Sequence, residues 1–140
     1  MIYPDTSFVV SLYLDEARSQ RAQRLRRASS ERFALTELHQ AEWAHVLGQN
    51  VLRKRISPSQ AQAVQRAMED DLAAGVWAVL PLPPRAVARC QELALQFAHR
   101  LPIRILDTLH VASAIELAAS RFCTWDRQQS ALARAAGLST

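Results

Sequence analysis

The sequence predicts an α/β fold in which a mainly parallel sheet is flanked by helices. Short apolar runs alternate along the chain with longer segments of helical periodicity, and this order is typical of βαβ units. The chain has 140 residues, of which 49% are hydrophobic, with only 3 Gly and 6 Pro. This composition suits one domain over residues 1–140 with a sizeable core, and it excludes collagen-like and disordered classes.

Four apolar runs are predicted to form the strands, over residues 2–5, 33–35, 76–80 and 122–125. Pro4 weakens the first run as a strand, because proline has no N–H to donate to a neighbouring strand. A further strand after Leu138 is expected to be short or absent, because the chain ends at Thr140. Asp5 and Asp126 stand at the carboxyl ends of the first and last runs, where parallel sheets bind ligands.

Seven segments of helical periodicity accompany these runs, over residues 8–13, 18–27, 36–53, 57–74, 85–100, 105–119 and 128–136. Ser57 and Pro58 mark the start of the fourth segment, because serine favours the N-cap and proline the first helical position. Glycine follows the fourth and seventh segments and is expected to end both helices. The second segment carries an exposed basic stripe, formed by Arg18, Arg21 and Arg24.

The charge balance favours a polyanionic partner. Lys and Arg total 17 against 13 Asp and Glu, for a net charge of +4, and every basic residue except Lys54 is an arginine. Arginine binds phosphate bidentately, so an arginine-rich surface indicates nucleic acid, although compositional bias produces the same excess.

Cysteine usage and hydropathy indicate the cytoplasm. Cys90 and Cys123 lie far apart with no CxxC spacing, which argues against a disulfide framework or a zinc ribbon and suits a reducing compartment. No run approaches about 18 consecutive apolar residues, so no membrane-spanning segment is expected. The amino terminus lacks the basic region of a signal peptide and has an acid at position 5.

Four acids have apolar or helix-forming neighbours and stand apart from charged surface runs: Asp5, Glu42, Asp107 and Asp126. Each also has a simpler structural interpretation. The three aspartates could cap the helices that begin near them, and Glu42 could pair with an arginine on an exposed helix. The acidic run at residues 69–71, by contrast, is expected to be a solvated helix face and is assigned no chemistry.

Convergence of the four acids at one end of the sheet would indicate a metal site. Two carboxylates about 5 Å apart repel by roughly 3 kcal/mol at an effective dielectric constant near 20. A fold has little reason to hold four of them together unless a cation neutralises them or some stay protonated. Oxygen ligands select hard divalent ions, Mg²⁺ or Mn²⁺, which activate water for displacement at phosphorus. Such a site surrounded by arginine suggests phosphodiester hydrolysis.

The blocks that contain these acids resemble, in the same order, those of PIN-domain ribonucleases. They are residues 2–10 (IYPDTSFVV), 35–42 (LTELHQAE), 106–114 (LDTLHVASA) and 122–128 (FCTWDRQ), followed by an ending at 132–138. The match covers nearly the whole chain, and the closest group is the VapC-like toxins of type II toxin–antitoxin modules. The resemblance implies a PIN-like three-layer α/β/α fold around a central, mainly parallel sheet of four or five strands.

The same resemblance implies a Mg²⁺-dependent endoribonuclease, with Mn²⁺ as the alternative ion. Asp5 and Asp107 match the principal metal ligands, and Glu42 and Asp126 match the other two acids of the pocket. Glu37 is a rival for the place of Glu42, which is preferred because it lies deeper in the helical pattern.

Supporting residues and partners are implied in the same way. Thr6 and Thr124 match small hydroxyl residues beside the pocket. Arginines outside the pocket would hold the phosphates that flank the scissile bond, with Arg18, Arg21, Arg24, Arg104 and Arg127 as candidates. The substrate would be RNA, and the chain would form a homodimer. A VapB-like antitoxin would cover the acidic pocket, for which an inserted arginine is suited because it pairs bidentately with carboxylates.

Histidine and tryptophan carry weaker signals. His110 lies three residues after Asp107 on the same helix face, but a packed or hydrogen-bonded helix histidine is the expected role. Trp43 and Trp77 are expected in the core, while Trp125 adjoins Asp126 and could either pack or stack on a base.

Two rival functions are weighed against a metal nuclease. A phosphatase of the haloacid-dehalogenase type would use Asp5 as its nucleophile, but it needs a second aspartate at position 7, which is serine. A nucleic-acid-binding regulatory PIN module without nuclease activity would tolerate loss of pocket acids, whereas all four are present here.

Overall fold

The computed structural model describes residues 1–14 and 17–140, and in these ranges the chain forms four strands and seven helices. The strands are β1 (Ile2–Pro4), β2 (Ala34–Leu35), β3 (Ala78–Val79) and β4 (Arg121–Cys123). The helices are α1 (Thr6–Tyr13), α2 (Ser19–Ala28), α3 (Glu37–Leu52), α4 (Pro58–Ala73), α5 (Ala86–Phe97), α6 (Ile105–Glu116) and α7 (Arg127–Ala135).

All four strands run parallel, which confirms the α/β fold class. Strand β1 pairs with β4, and β2 pairs with β3, so the hydrogen-bonded ladders form two small sheets. A parallel bridge between Ile2 and Phe33 joins the two sheets side by side. Every strand is only two or three residues long, shorter than the apolar runs that predicted them.

Pro4 explains why the two sheets meet at a bridge and form no longer ladder. Successive backbone N–H groups of a strand point to opposite neighbours. The Ile2 N–H donates to the Arg32 carbonyl on the β2 side, and the Asp5 N–H donates to the Cys123 carbonyl on the β4 side. The nitrogen of Pro4 therefore faces β2, where it has no hydrogen to donate, and pairing on that side ends.

Side chains that alternate along the strands pack into two separate cores, one on each side of the sheet. Ile2, Phe33 and Leu35 pack with helices α1 to α4. Tyr3, Ala34 and Phe122 pack with helices α5 to α7. Because the side chains of a strand alternate between its two faces, this division shows a three-layer α/β/α arrangement.

The helix boundaries follow the predicted caps closely and differ by a few residues at some ends. The Ser57 hydroxyl accepts a hydrogen bond from the Gln60 N–H at the start of α4, and Gly75 follows its end with φ 68°. Helix α6 ends at Glu116 and not at 119, because Ala118 adopts a left-handed φ of 50°. After Leu138 no strand forms within the described residues, although the Ser139 carbonyl accepts a hydrogen bond from the Phe122 N–H.

None of the helices in the described ranges combines the length and apolar character that crossing a bilayer requires.

Candidate active site

Asp5 lies at the carboxyl end of β1 and caps helix α1. Its carboxylate accepts hydrogen bonds from the Phe8 N–H at 2.8 Å, the Ser7 hydroxyl at 2.8 Å and the Thr124 hydroxyl at 2.7 Å. Thr124 reaches Asp5 because Pro4 and Cys123 are partners in the parallel ladder, which makes Asp5 and Thr124 the next residues along each strand. The capping role predicted for Asp5 is thus present together with its position at the strand end.

Thr124 also links Asp5 to the start of α7. Its hydroxyl accepts a hydrogen bond from the Asp126 N–H at 2.9 Å and lies 2.7 Å from the Gln129 side-chain oxygen. The Asp126 carboxylate caps α7 by accepting from the Gln128 and Gln129 N–H groups. This cap holds Asp126 at the same edge of the sheet as Asp5.

Asp107 is held near this edge by two contacts. The amide of Gln129 donates to the Asp107 carbonyl at 3.2 Å, which ties α6 to α7. The Asp107 carboxylate forms a two-point ion pair with Arg104, at 2.8 Å to Nε and 3.2 Å to a terminal nitrogen. The residue at the N-cap of α6 is Arg104 and not Asp107, so the predicted cap by Asp107 is wrong.

Glu42 projects from α3 towards Thr6 and His110. Its Oε2 accepts a hydrogen bond from the Thr6 hydroxyl and lies 2.6 Å from His110 Nε2. The partner of Glu42 is therefore a buried histidine, and the exposed arginine pair considered for it is not what the structure has. Glu37, the rival acid, is exposed at the start of α3 and accepts from the Leu82 N–H.

The environments of Asp5 and Glu42 move their pKa values in opposite directions. Burial raises the pKa of Asp5, and the hydrogen bonds from Phe8, Thr124 and Ser7 offset that rise only in part. Burial also acts to raise the pKa of Glu42, but the hydrogen bonds from His110 and from the Thr6 hydroxyl outweigh it, so this pKa is lowered. One acid is thus poorly stabilised as an anion, while its neighbour is well stabilised.

Arg104 faces more than one of these acids. The hydrogen bonds and charge of Asp107 raise the pKa of its guanidinium, and the carboxylates of Asp126 and Glu42 add to that rise. Arg104 is therefore a cation that pairs with Asp107 and is within electrostatic range of two further acids. We define Asp5, Glu42, Asp107 and Asp126 as the acidic cluster.

The chain matches the family model described as PIN domain over residues 2–135. The chain belongs to the PIN domain family. Comparison with curated protein sequences found no significant match.

Solved structures show the same fold at low sequence identity. The crystal structure of VapC20 from Mycobacterium tuberculosis, described as a sarcin–ricin loop cleaving toxin, is 18% identical with a TM-score of 0.69, over 99% of this chain and 96% of that one. The crystal structure of FitAcB from Neisseria gonorrhoeae is 15% identical with a TM-score of 0.75, over 99% of this chain and 95% of that one. The predicted family and fold class are confirmed.

The donor chemistry of this PIN domain fits a hard divalent ion, although the side chains are not arranged around one. Among the described residues, no three His, Cys, Asp or Glu side chains are grouped so as to hold a metal as they stand. Both oxygens of Asp107 are bound by the Arg104 guanidinium. The acidic cluster presents carboxylate oxygens, which are the ligands that Mg²⁺ and Mn²⁺ prefer.

The predicted arginines other than Arg104 divide into two that contact Trp125 and two for which the structure shows exposure to solvent. Arg18 donates to the Trp125 carbonyl at 3.2 Å, and the guanidinium carbons of Arg18 and Arg21 lie 5.7 and 5.3 Å from the centre of the Trp125 ring. Arg24 and Arg127 are exposed. The stripe on α2 thus runs up to the residue that precedes Asp126.

The three tryptophans are all packed. Trp43 and Trp77 are buried at 4% and 1% exposure, as predicted. Trp125 stacks on Phe8 at 5.3 Å and donates to the Ser11 hydroxyl at 2.9 Å. With Arg18 and Arg21 also over its ring, Trp125 packs within the protein, which decides the alternative that its sequence position left open.

Sequence reasoning missed several residues of the site. The Ser7 hydroxyl binds the Asp5 carboxylate, and the Gln129 amide binds the Asp107 carbonyl. His110 contacts both the Glu42 carboxylate and the Tyr3 hydroxyl. The spacing from Asp107 to His110 placed the histidine on the correct helix face. Its partner Glu42 is 68 residues away, which no local pattern reveals.

If the acidic cluster binds a divalent ion and the arginines beside it bind RNA, Arg104→Gln is predicted to tighten the binding of Mn²⁺ and to weaken the binding of RNA. Removing the guanidinium frees Asp107 for the ion, and an exposed ion pair contributes no more than about 1 kcal/mol, so the gain in metal affinity should be at most about fivefold. RNA loses a cation beside the pocket, so its affinity should fall. Metal titration and RNA binding with the same variant measure the two effects, and Arg134→Gln at the far end of α7 is the control. Parallel changes in both affinities would contradict the competing role of Arg104.

Proposed function

We propose that the chain is a Mg²⁺-dependent endoribonuclease, able to use Mn²⁺, and the toxin of a type II toxin–antitoxin pair. The observation that carries this proposal is the linkage of three acids: Asp5 and Asp126 follow β1 and β4 and both bind the Thr124 hydroxyl, and Gln129 ties α7 to Asp107 on α6. Membership in the PIN domain family supports a nuclease kind of activity. The VapC-like sequence blocks and the shared fold with the VapC20 toxin support the narrower assignment.

In this proposal Asp5 and Asp107 are the principal ligands of the ion, and Glu42 and Asp126 complete its surroundings. Bound there, Mg²⁺ would supply positive charge to a scissile phosphate and lower the pKa of water. The chain's own groups prepare the site. Thr124 and Ser7 orient the Asp5 carboxylate, while the cap of α7 fixes Asp126.

The arginine stripe on α2 is the proposed path of the RNA backbone. Arg18 and Arg21 contact Trp125, which directly precedes Asp126, so the positive charge begins beside the acidic cluster. Arg24 continues it by one more turn along the exposed surface of α2. An acidic pocket at the end of a basic track places phosphates next to the metal ligands, since flanking phosphates are held by arginine.

We predict that Arg21→Gln and Arg24→Gln each weaken RNA binding and flatten its dependence on salt. Each lost phosphate contact should reduce the slope of log affinity against log salt by roughly 0.7 for a single strand. Fluorescence anisotropy with a labelled RNA in EDTA measures binding without cleavage. Arg134→Gln should keep the wild-type slope. A wild-type affinity that is insensitive to salt would exclude this path.

Cleavage of structured RNA with Mg²⁺, and again with EDTA, is the deciding experiment for the proposed function. We expect cleavage only with the divalent ion. Equal cleavage in both solutions contradicts a metal nuclease. RNA binding without cleavage under either condition would instead favour the nucleic-acid-binding regulatory PIN module. Hydrolysis of a phosphate monoester but not of RNA would favour the phosphatase.

The partners of the toxin belong to the same proposal. A VapB-like antitoxin would cover the acidic cluster, and an arginine from it would take the place that Arg104 holds in the free chain. The homodimer that the VapC-like resemblance implies is tested by light scattering of the purified chain. The cytoplasm is the proposed location, since both cysteines, Cys90 and Cys123, are unpaired thiols. Growth arrest on expression, relieved by the product of an adjacent reading frame, tests the toxin role.

A further inference from the structure

A chain of hydrogen bonds leads from the buried residues Tyr3 and His110 to the carboxylate of Glu42. The Tyr3 hydroxyl is 3.1 Å from His110 Nδ1, and His110 Nε2 is 2.6 Å from Glu42 Oε2. Tyr3 is 0% exposed and His110 is 2% exposed, so both of these residues are shielded from solvent. The chain runs from strand β1 through helix α6 to an acid on helix α3, three elements that are distant in sequence.

His110 Nε2 carries a hydrogen and donates it to Glu42, because the pKa of Glu42 is lowered and an ionised carboxylate can only accept. Burial raises the pKa of the Tyr3 hydroxyl above its ordinary value, so it keeps its proton and can donate. A hydroxyl that donates to Nδ1 leaves Nε2 as the nitrogen that carries the proton in a neutral imidazole.

Two donors therefore converge on the same oxygen of Glu42. Thr6 and His110 both bind Oε2, and no hydrogen bond from the described residues reaches Oε1. The carboxylate is thus held in one orientation with one oxygen still available to a ligand. Hydrogen bonds of this kind orient the ligands of metal sites, and their loss typically weakens metal binding by about 10- to 100-fold.

His39 shows how a histidine in the same region is bound when it serves packing alone. Its Nδ1 accepts from the Thr36 N–H at 2.9 Å, and its Nε2 donates to the Pro4 carbonyl at 2.8 Å. These partners and the Thr36 hydroxyl, 3.0 Å from Nδ1, all lie outside the acidic cluster, and burial lowers the pKa of His39 to about 3. His110 differs because one of its two nitrogens is bound to a pocket carboxylate.

We propose that Tyr3 and His110 are positioning residues of the metal site, with Tyr3 fixing the tautomer of His110 and His110 fixing the orientation of Glu42. The proposal rests on the proposed function, because it assumes that Glu42 faces a bound divalent ion. It adds two buried residues to the site that touch neither the ion nor the RNA.

Mn²⁺ affinity of the full chain, measured by titration, tests this role without an activity assay. His110→Leu removes the donor and is expected to weaken binding by about 10-fold or more, and Tyr3→Phe, which removes only the hydroxyl, by a few-fold at least. His110→Gln keeps an N–H near the Nε2 position and should recover most of the affinity. Tyr13→Phe is the matched control, because Tyr13 also has a hydroxyl bonded to a carboxylate, that of Asp71.

The imidazole tautomer supplies an independent measurement. Long-range ¹H–¹⁵N spectra of the wild-type chain should show His110 protonated at Nε2 and bare at Nδ1, and Tyr3→Phe should shift this signal while leaving His39 unchanged. A proton on Nδ1 in the wild type would overturn the proposal, and this measurement remains decisive even if His110→Leu does not fold.

The outcomes separate this inference from the function on which it rests. Wild-type affinity for Mn²⁺ in both His110→Leu and Tyr3→Phe, together with loss of binding in Asp5→Asn, overturns the positioning role alone. A wild-type chain that binds no Mn²⁺ contradicts both proposals. Weak binding in His110→Leu with recovery in His110→Gln supports the positioning role, since a change in packing would affect both variants.

Discussion

Asp5→Asn and Asp107→Asn are each expected to lower Mg²⁺-dependent RNA cleavage by at least about 100-fold, a loss typical of removing one group that stabilises transition-state charge. Both substitutions remove a negative charge from the proposed ion ligands while they preserve the shape of the side chain. The asparagine introduced at position 5 would still cap α1, because its amide oxygen can accept from the Phe8 N–H as the aspartate does. The loss should therefore appear in the cleavage rate with the fold intact.

An exposed acid outside the cluster provides the matched control for this experiment. Asp70→Asn makes the same chemical change in the acidic run of α4, where the side chain is exposed to solvent. Cleavage by this variant should equal that of the wild type. If a double variant, Asp5→Asn with Asp107→Asn, stays fully active, the acidic cluster is not the site of reaction.

Divalent ion binding is expected to stabilise the wild-type chain strongly and the Asp5→Asn variant not at all. An ion that binds only the folded state adds about 2.7 kcal/mol at a concentration 100 times its dissociation constant. That is a large share of the stability of a domain of this size, and it should raise the Tm by several degrees. Thermal melts with and without Mg²⁺ measure the shift.

In the absence of the ion, we expect the Asp5→Asn variant to be more stable than the wild type, because Asp5 is buried. Its pKa is raised in the folded state, so its contribution to stability is present below its unfolded pKa and is lost as pH rises through its folded pKa. At neutral pH in EDTA, Asp5→Asn should therefore melt above the wild type. Glu42 has the opposite sign, because its lowered pKa adds stability above its unfolded pKa that is lost as pH falls through its folded pKa.

The Asp70→Asn variant again separates a local effect from a general one. It should keep the full Mg²⁺ shift and show neither the gain in EDTA nor a changed pH profile. An equal Mg²⁺ shift in Asp5→Asn would mean that the ion binds elsewhere on the chain.

Periodicity and end signals were sufficient to predict most of the fold. Ser57 with Pro58 and the glycines at 75 and 137 mark helix ends that the structure also has. These signals are local, because a cap or a left-handed glycine acts within one turn. The lengths of the strands were not predictable in the same way, because pairing depends on a partner strand. Pro4 was expected to weaken β1, yet the strand forms, and proline only ends its pairing towards β2.

In the candidate site, too, some features could be predicted from local sequence and others could not. Its four acids were visible in the sequence because each lies in a motif block beside a strand end or near a helix start. The ion pair between Arg104 and Asp107, and the hydrogen bonds from Tyr3 through His110 to Glu42, were not visible. The sequence pattern also left Glu37 as a rival to Glu42 for the second acid of the pocket. In the structure the Glu37 carboxylate accepts a hydrogen bond from the Leu82 N–H.

Residue types at short spacings were enough to predict the family and the layered α/β architecture, and they pointed to four candidate acids. The hydrogen bonds that hold those acids depend on tertiary packing. Asp5 meets Thr124 across 119 positions of the chain, and Tyr3 meets His110 across 107. Side-chain orientation, burial and the direction of a pKa shift depend on neighbours brought together by packing, and such neighbours leave no periodic trace in the order of residues.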